Sequence, residues 1–133
     1  MTKQDGRIVV FCCEHSAYPA ADGAGKLGLE CPQSLRIIRV PCAGRVDVLH
    51  ILKAMEKGAL AVLVLGCEEG ACQHIDGNIR AKERVKYAET LLKEAGMDGR
   101  LVEMFNLAPN TPLKFVRVVN EINERLKESG GTK

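Results

Sequence analysis

Cys67 and Cys72 are the residues whose type and spacing point most directly to chemistry. Four residues separate them, and they follow the most strand-like run of the chain, residues 60–65. Gly66 and Gly70 lie in the same stretch, and glycine lets a loop fold closely around a bound group. Thiols on a glycine-containing loop at the end of a buried strand are placed as metal ligands rather than as core residues.

Predicted strands and helices, which must position these thiols, alternate along the chain. Four strand-like runs and four helical patterns follow one another across short connections. The runs cover residues 7–12, 35–40, 60–65 and 100–105. This order predicts an α/β fold with one open parallel four-stranded sheet, helices on both faces and a flavodoxin-like strand order of 2-1-3-4. We expect residues 1–133 to form one domain with frayed ends at 1–6 and 129–133.

Local patterns refine this architecture. Arg36 and Arg39 interrupt the second strand and indicate an edge strand or a half-exposed face. Pro112 suits the first position of the last helix. The first helix carries a stripe of mostly small residues at Ala17, Ala20, Ala21, Ala24 and Leu27. Such a stripe packs closely against whatever lies beneath it.

Parallel strands all end at the same edge of a sheet, so the residues that follow them converge there. Cys13 follows the first strand, Cys42 follows the second, and Cys67 and Cys72 follow the third. Four thiolates from three strand ends form a complete ligand set. Such a set suits a [2Fe–2S] cluster, a [4Fe–4S] cluster or tetrahedral zinc.

The other two cysteines have plainer interpretations. Cys12 lies within the first strand, where a thiol is more often a small core residue than a ligand. Cys31 precedes Pro32, away from the predicted edge, and is interpreted as an incidental loop residue.

Charged residues near the cysteines allow more than one interpretation. Glu68, Glu69 and His74 are expected to be loop residues rather than ligands. Arg45 is either a surface charge or a donor that stabilises a negatively charged cluster. The third helix carries a basic set that predicts a solvated face or a docking surface. This set is Arg80, Lys82, Arg84 and Lys86.

Composition excludes several classes of protein. A net charge of +2 and the absence of tryptophan favour neither nucleic-acid nor membrane-surface binding. No apolar run is long enough to span a bilayer, and residues 1–6 lack the apolar core of a signal peptide. We therefore expect a cytoplasmic protein without membrane insertion. Thiols stay reduced there, and a cysteine-rich chain is then typical of metal-binding or redox-active proteins.

Other catalytic motifs are weakly supported. The sequence has no dinucleotide-binding glycine fingerprint, no P-loop and no nucleophile elbow. Cys13 and His15 suggest a thiol nucleophile, but residues two apart rarely orient a base onto a nucleophile. A phosphatase loop after the first strand would need an arginine to clamp phosphate, and Glu14 follows Cys13 instead.

Several blocks of the chain together resemble the delta subunit of methyl-viologen-reducing hydrogenase. The resemblance covers roughly residues 7–95 and extends loosely beyond Phe115. It is carried by Phe11-Cys12-Cys13, Tyr18, Ala20-Ala21-Asp22, Gly25, Arg36 to Arg45, Ile51 to Ala54, Gly66-Cys67, Gly70, Cys72, Gly77 and Asn78.

The resemblance implies an iron–sulfur electron carrier holding a [2Fe–2S] cluster. It implies two partners, a hydrogenase or other electron-donor subunit and a heterodisulfide-reductase-like flavoprotein subunit. It supports Cys13, Cys42, Cys67 and Cys72 as cluster ligands, because all four stand where this family has cysteines.

The chain also departs from the family pattern. The family's second cysteine, three residues after the first, is Ser16 here, and Glu68, Ala71 and Gln73 replace common residues of the cysteine loop. The sequence indicates a divergent electron carrier with no substrate site of its own. The alternative is a docking module whose four cysteines hold structural zinc.

Overall fold

A computed structural model describes residues 7–66, 77–96 and 100–128 of the protein. In chain order the elements are β1 (Arg7–Cys13), α1 (Ala17–Lys26), β2 (Leu35–Val40), a 3₁₀ turn (Ala43–Arg45), α2 (Val48–Glu56), β3 (Ala59–Gly66), α3 (Gly77–Glu94), β4 (Leu101–Asn106) and α4 (Pro112–Glu128). The predicted frayed ends and the stretch from Cys67 to His74 lie outside the described residues.

The four strands form one parallel sheet in the order β2-β1-β3-β4. The predicted fold class and strand order are therefore confirmed. Strand β2 lies at one edge, and its four middle residues are exposed, as Arg36 and Arg39 indicate. Strand β3 lies between two neighbours, and its last six residues, 61–66, are buried.

Two apolar layers cover the sheet because residues of β1 point alternately to opposite faces. Ile8, Val10 and Cys12 pack with the buried stripes of α1 and α4. Val9 and Phe11 pack on the other face with α2, α3 and the 3₁₀ turn. The carboxyl ends of the strands lie between these two layers. They form the edge at which the sequence predicts a cofactor.

Helix α1 follows its predicted stripe with one exception. Ala17, Ala20, Ala21 and Ala24 are buried, and α4 begins at Pro112. The stripe predicted for α1 also includes Leu27, but this residue is 65% exposed because the helix ends at Lys26 and Leu27 is its C-cap. In the part of the chain that the structure describes, no helix has the length and hydropathy needed to cross a membrane.

Candidate functional site

Cys13 and Cys42 lie together at the carboxyl ends of two paired strands. Cys13 is the last residue of β1 and is opposite Val40 in the register with β2, and Cys42 comes two residues after Val40. The exposed fractions of Cys13 and Cys42 are 1% and 3%. The Cys13 thiol donates to the carbonyl of Pro41, the residue before Cys42, at 4.0 Å. The sheet therefore brings two buried sulfurs to one place.

The backbone around Cys42 presents a hydrogen-bond donor to its sulfur. Cys42 has an extended conformation and precedes the 3₁₀ turn as its N-cap. The Gly44 N–H donates to Cys42 Sγ at 3.4 Å, and the Arg45 N–H donates to the Cys42 carbonyl at 2.9 Å. Amide hydrogen bonds to sulfur stabilise thiolates and tune the potentials of metal centres bound to them.

The residues at the start of helix α1 lie next to Cys13. Ser16, which stands where the resembling family has a second cysteine, is the N-cap residue of α1 and is 3% exposed. Its backbone N–H donates to the Cys13 carbonyl at 3.3 Å. His15 is exposed, with Nε2 3.8 Å from a carboxylate oxygen of Glu14. Ser16 is thus buried in the same turn as Cys13, whereas His15 faces solvent.

Cys12 and Cys31 lie in different surroundings. Cys12 is fully buried in the layer that contains α1 and α4, and burial together with the adjacent Cys13 raises the pKa of its thiol to about 12. Cys31 is half-buried in the connection from α1 to β2, at the opposite edge of the sheet, and burial raises its pKa. Cys12 therefore packs into an apolar layer that does not include Cys42, and Cys31 lies at the other edge of the sheet.

Arg84 is the part of this edge that the sequence interpretation missed. The sequence groups it with the solvated charges of α3, but it is half-buried and its Nη1 donates to the carbonyls of Gly44 and Val46, the latter at 3.3 Å. The helical spacing carries a signal that could have found it. Arg84 stands three residues after buried Ala81 and four before buried Ala88, on the inward face of α3.

Arg45 stands on the same turn but faces outward. Its side chain is exposed, which fits the interpretation as a surface charge better than that of a buried donor. The basic residues Lys82 and Lys86 of α3 are also exposed, as the sequence predicted.

Cys67 and Cys72, the other two predicted ligands, lie outside the described residues. Cys12 pairs with Leu65 in the register of β1 and β3, so Cys13 and Gly66 are each one residue beyond that pair. Within residues 7–66, 77–96 and 100–128, no group of three or more His, Cys, Asp or Glu side chains is arranged to hold a metal ion. The described part thus holds two of the four predicted ligands.

Comparisons with known proteins give a consistent result. Residues 8–130 match the family described as methyl-viologen-reducing hydrogenase, delta subunit. An F420-non-reducing hydrogenase vhu iron-sulfur subunit of Methanocaldococcus jannaschii is 41% identical over 126 residues, covering 95% of this chain and 94% of the relative. The protein of the same name from Methanopyrus kandleri is 43% identical over 127 residues and 96% of each chain.

A third relative is much longer than this chain. It is one of the subunits of the Ferredoxin/F(420)H(2)-dependent CoB-CoM heterodisulfide reductase of Methanosarcina acetivorans, and it is 33% identical over 123 residues. The match covers 92% of this chain but 16% of that protein. In this relative, a segment similar to nearly the whole of this chain is therefore part of a larger polypeptide.

Proposed function

Because the chain belongs to the family of methyl-viologen-reducing hydrogenase delta subunits, we propose that it is an electron-transfer subunit that holds an iron–sulfur cluster at the carboxyl edge of its sheet. The ligands in this proposal are Cys13, Cys42, Cys67 and Cys72, and the cluster is [2Fe–2S]. The protein passes single electrons between larger subunits and has no substrate site of its own.

One observation supports this proposal above the others. Cys13 and Pro41 are 28 residues apart in the chain, yet Cys13 Sγ lies 4.0 Å from the Pro41 carbonyl oxygen, directly before Cys42. Gly44 donates its amide to the Cys42 sulfur. Buried sulfurs with an amide donor fit the soft thiolate ligation that iron–sulfur clusters require. Cys67, directly after β3, and Cys72 would complete the set.

The protein's own residues would set the properties of a cluster held here. A [2Fe–2S] cluster, when bound, supplies reversible one-electron chemistry. The Gly44 amide and the Arg84 guanidinium favour added negative charge near Cys42, which raises a reduction potential. The apolar layers beneath the strand ends keep water from the buried side of Cys13 and Cys42.

The proposed partners come from the relatives. Two of them are named as hydrogenase iron-sulfur subunits, and the longer one is named as part of a heterodisulfide reductase. We propose that this chain receives electrons from a hydrogenase or similar oxidoreductase and delivers them to a heterodisulfide-reductase-like flavoprotein subunit. The proposed compartment is the cytoplasm, where thiols remain reduced.

Anaerobic purification of the full chain tests the proposal. We expect brown protein with about two iron and about two acid-labile sulfide per chain, and a rhombic electron paramagnetic resonance (EPR) signal after reduction. Colourless protein with one zinc per chain would contradict electron transfer and favour a structural zinc module. Co-purification of the native complex identifies the donor and acceptor.

Cysteine variants test the ligand assignment. Cys13→Ala and Cys42→Ala should each lower bound iron by more than about tenfold, because alanine offers no ligand atom. Cys12→Ala and Cys31→Ala serve as matched controls and should keep the cluster. Retention of iron by the Cys42 variant, or its loss in the Cys12 variant, would show that the ligand set is wrong.

A further inference from the structure

We infer that Arg84 is a positioning residue that holds the Cys42 sulfur and its amide donor in place. Its guanidinium Nη1 donates to two carbonyls of the segment that follows Cys42, those of Gly44 and Val46. This inference rests on the proposed function in one respect, that Cys42 is a cluster ligand. The contact joins helix α3 to the 3₁₀ turn, from positions 40 and 38 residues apart in the chain.

Gly44 is held from both sides. Its N–H donates to Cys42 Sγ at 3.4 Å, and its carbonyl accepts from Arg84. The turn is closed by two further backbone bonds, from Arg45 N–H to the Cys42 carbonyl at 2.9 Å and from Val46 N–H to the Ala43 carbonyl at 3.1 Å. The Gly44 carbonyl and the Arg45 N–H belong to one planar peptide group, so a movement of this carbonyl also moves the N–H that donates to the Cys42 carbonyl.

Packing fixes the turn on its inner side and leaves the carbonyls of Gly44 and Val46 accessible to Arg84. Ala43 and Val46 are each 2% exposed and belong to the layer that contains α2 and α3. The carbonyl groups of a 3₁₀ turn need donors, and a charged donor forms a stronger hydrogen bond than a neutral one. Arg84 supplies such a donor, since the inward face of α3 packs on the turn.

The chemistry distinguishes Arg84 from its basic neighbours on the helix. Lys86 is exposed and stands two residues further along α3, so it carries a similar charge without facing the turn. A lysine at position 84 would keep the charge, but its ammonium group lacks the planar array of N–H donors that arginine provides. Comparing variants of Arg84 with a variant of Lys86 therefore separates the effect of positioning from the effect of charge.

The first experiment measures Cys42 directly in the full-length apo-protein. Alkylation by iodoacetamide is followed by mass spectrometry for Arg84→Gln, Arg84→Lys and the control Lys86→Gln. We expect Cys42 to react about tenfold faster in Arg84→Gln, because loss of a charged donor favours local opening. The Lys variant should show a smaller increase, and Cys12, Cys31 and the control should be unchanged.

The second experiment uses the cluster-loaded protein. Arg84→Gln should lower the midpoint potential and shift the EPR signal, Arg84→Lys should shift the potential less, and Lys86→Gln should shift neither. Unchanged Cys42 alkylation in both Arg84 variants, or equal acceleration at all cysteines, would overturn the inference. Failure of the proposed function has a different signature, since Cys42→Ala would then keep its iron while Cys42 alkylation still responded to Arg84→Gln.

Discussion

At each end of helix α2, an arginine from later in the chain donates to two backbone carbonyls. At the N-terminal end, Arg84 contacts the carbonyls of Gly44 and Val46. At the C-terminal end, Arg100 donates to the carbonyls of Met55 and Ala59 at 2.9 and 3.0 Å. Hydrogen bonds from an arginine to backbone carbonyls therefore stabilise both connections of α2, one at the carboxyl edge of the sheet and one at the amino edge.

The two ends differ in what the arginine holds. At the amino edge, Arg100 secures a tight turn in which Gly58 has φ of +108°, a conformation that suits glycine. At the carboxyl edge, Arg84 secures a turn whose N-cap is Cys42 and whose amide faces a sulfur. The contact at the amino edge therefore stabilises only the fold. The contact at the carboxyl edge also positions a proposed ligand.

The largest expected effect on stability comes from Arg100→Gln. Its two long-range hydrogen bonds to carbonyls are lost, so we expect the free energy of unfolding to fall by about 2 kcal/mol. Urea denaturation measures this, and Arg36→Gln is the matched control. Arg36 also donates to two carbonyls, those of Gln33 and Leu35, but it is exposed and both contacts are local. An Arg100 variant that shifted the cluster potential as much as Arg84→Gln would show that the two ends of α2 do not differ in this way.

Gly58→Ala should have the next largest effect. No atom lies within 4 Å of the added Cβ, so the cost comes from the backbone conformation and is about 1–2 kcal/mol. Gly25→Ala is the control, since Gly25 lies within α1, also has nothing within 4 Å, and should gain stability from the higher helix propensity of alanine. Thermal unfolding of both variants checks the prediction. Equal effects on the two would show that backbone conformation at Gly58 is unimportant.

Asp47→Ala should have the smallest of these three effects, and it also tests whether Arg84 or the cap of α2 positions the turn. Asp47 caps α2, with Oδ1 accepting from the Val48 N–H at 2.7 Å and its own N–H donating to His50 Nδ1 at 2.9 Å. We expect a loss of about 0.5–1 kcal/mol in urea denaturation. If it also accelerated Cys42 alkylation as much as Arg84→Gln, the helix cap rather than Arg84 would position the turn.

The exposed pair of Asp22 and Lys26 provides the control for this capping prediction. Their charged groups are 3.3 Å apart on the surface of α1, where an ion pair contributes about 0–1 kcal/mol. Asp22→Ala should leave both the free energy of unfolding and the alkylation rate of Cys42 nearly unchanged. A larger loss of stability than that of Asp47→Ala would contradict this order of effects.

Much of the fold is predictable because it depends on periodic patterns. The four strands and their order follow from runs of apolar residues and from the rules for parallel connections, and the start of α4 follows from the fit of Pro112 to a first helical position. The prediction for Leu27 is wrong because the end of a helix depends on local hydrogen bonding more than on periodicity. Leu27 is apolar like the rest of the stripe, so its residue type does not show that the helix ends before it.

Cys13 and Cys42 follow neighbouring strands in the amino-acid sequence, and parallel topology makes their meeting a consequence of strand order. The side chains and amides that surround them depend instead on tertiary packing. Arg84 and the Gly44 amide reach this region because the turn packs against α3, a contact across 38 to 40 residues that no local pattern specifies. Periodicity reports which face of an element is buried, whereas hydrogen bonds between elements depend on how those faces are placed together.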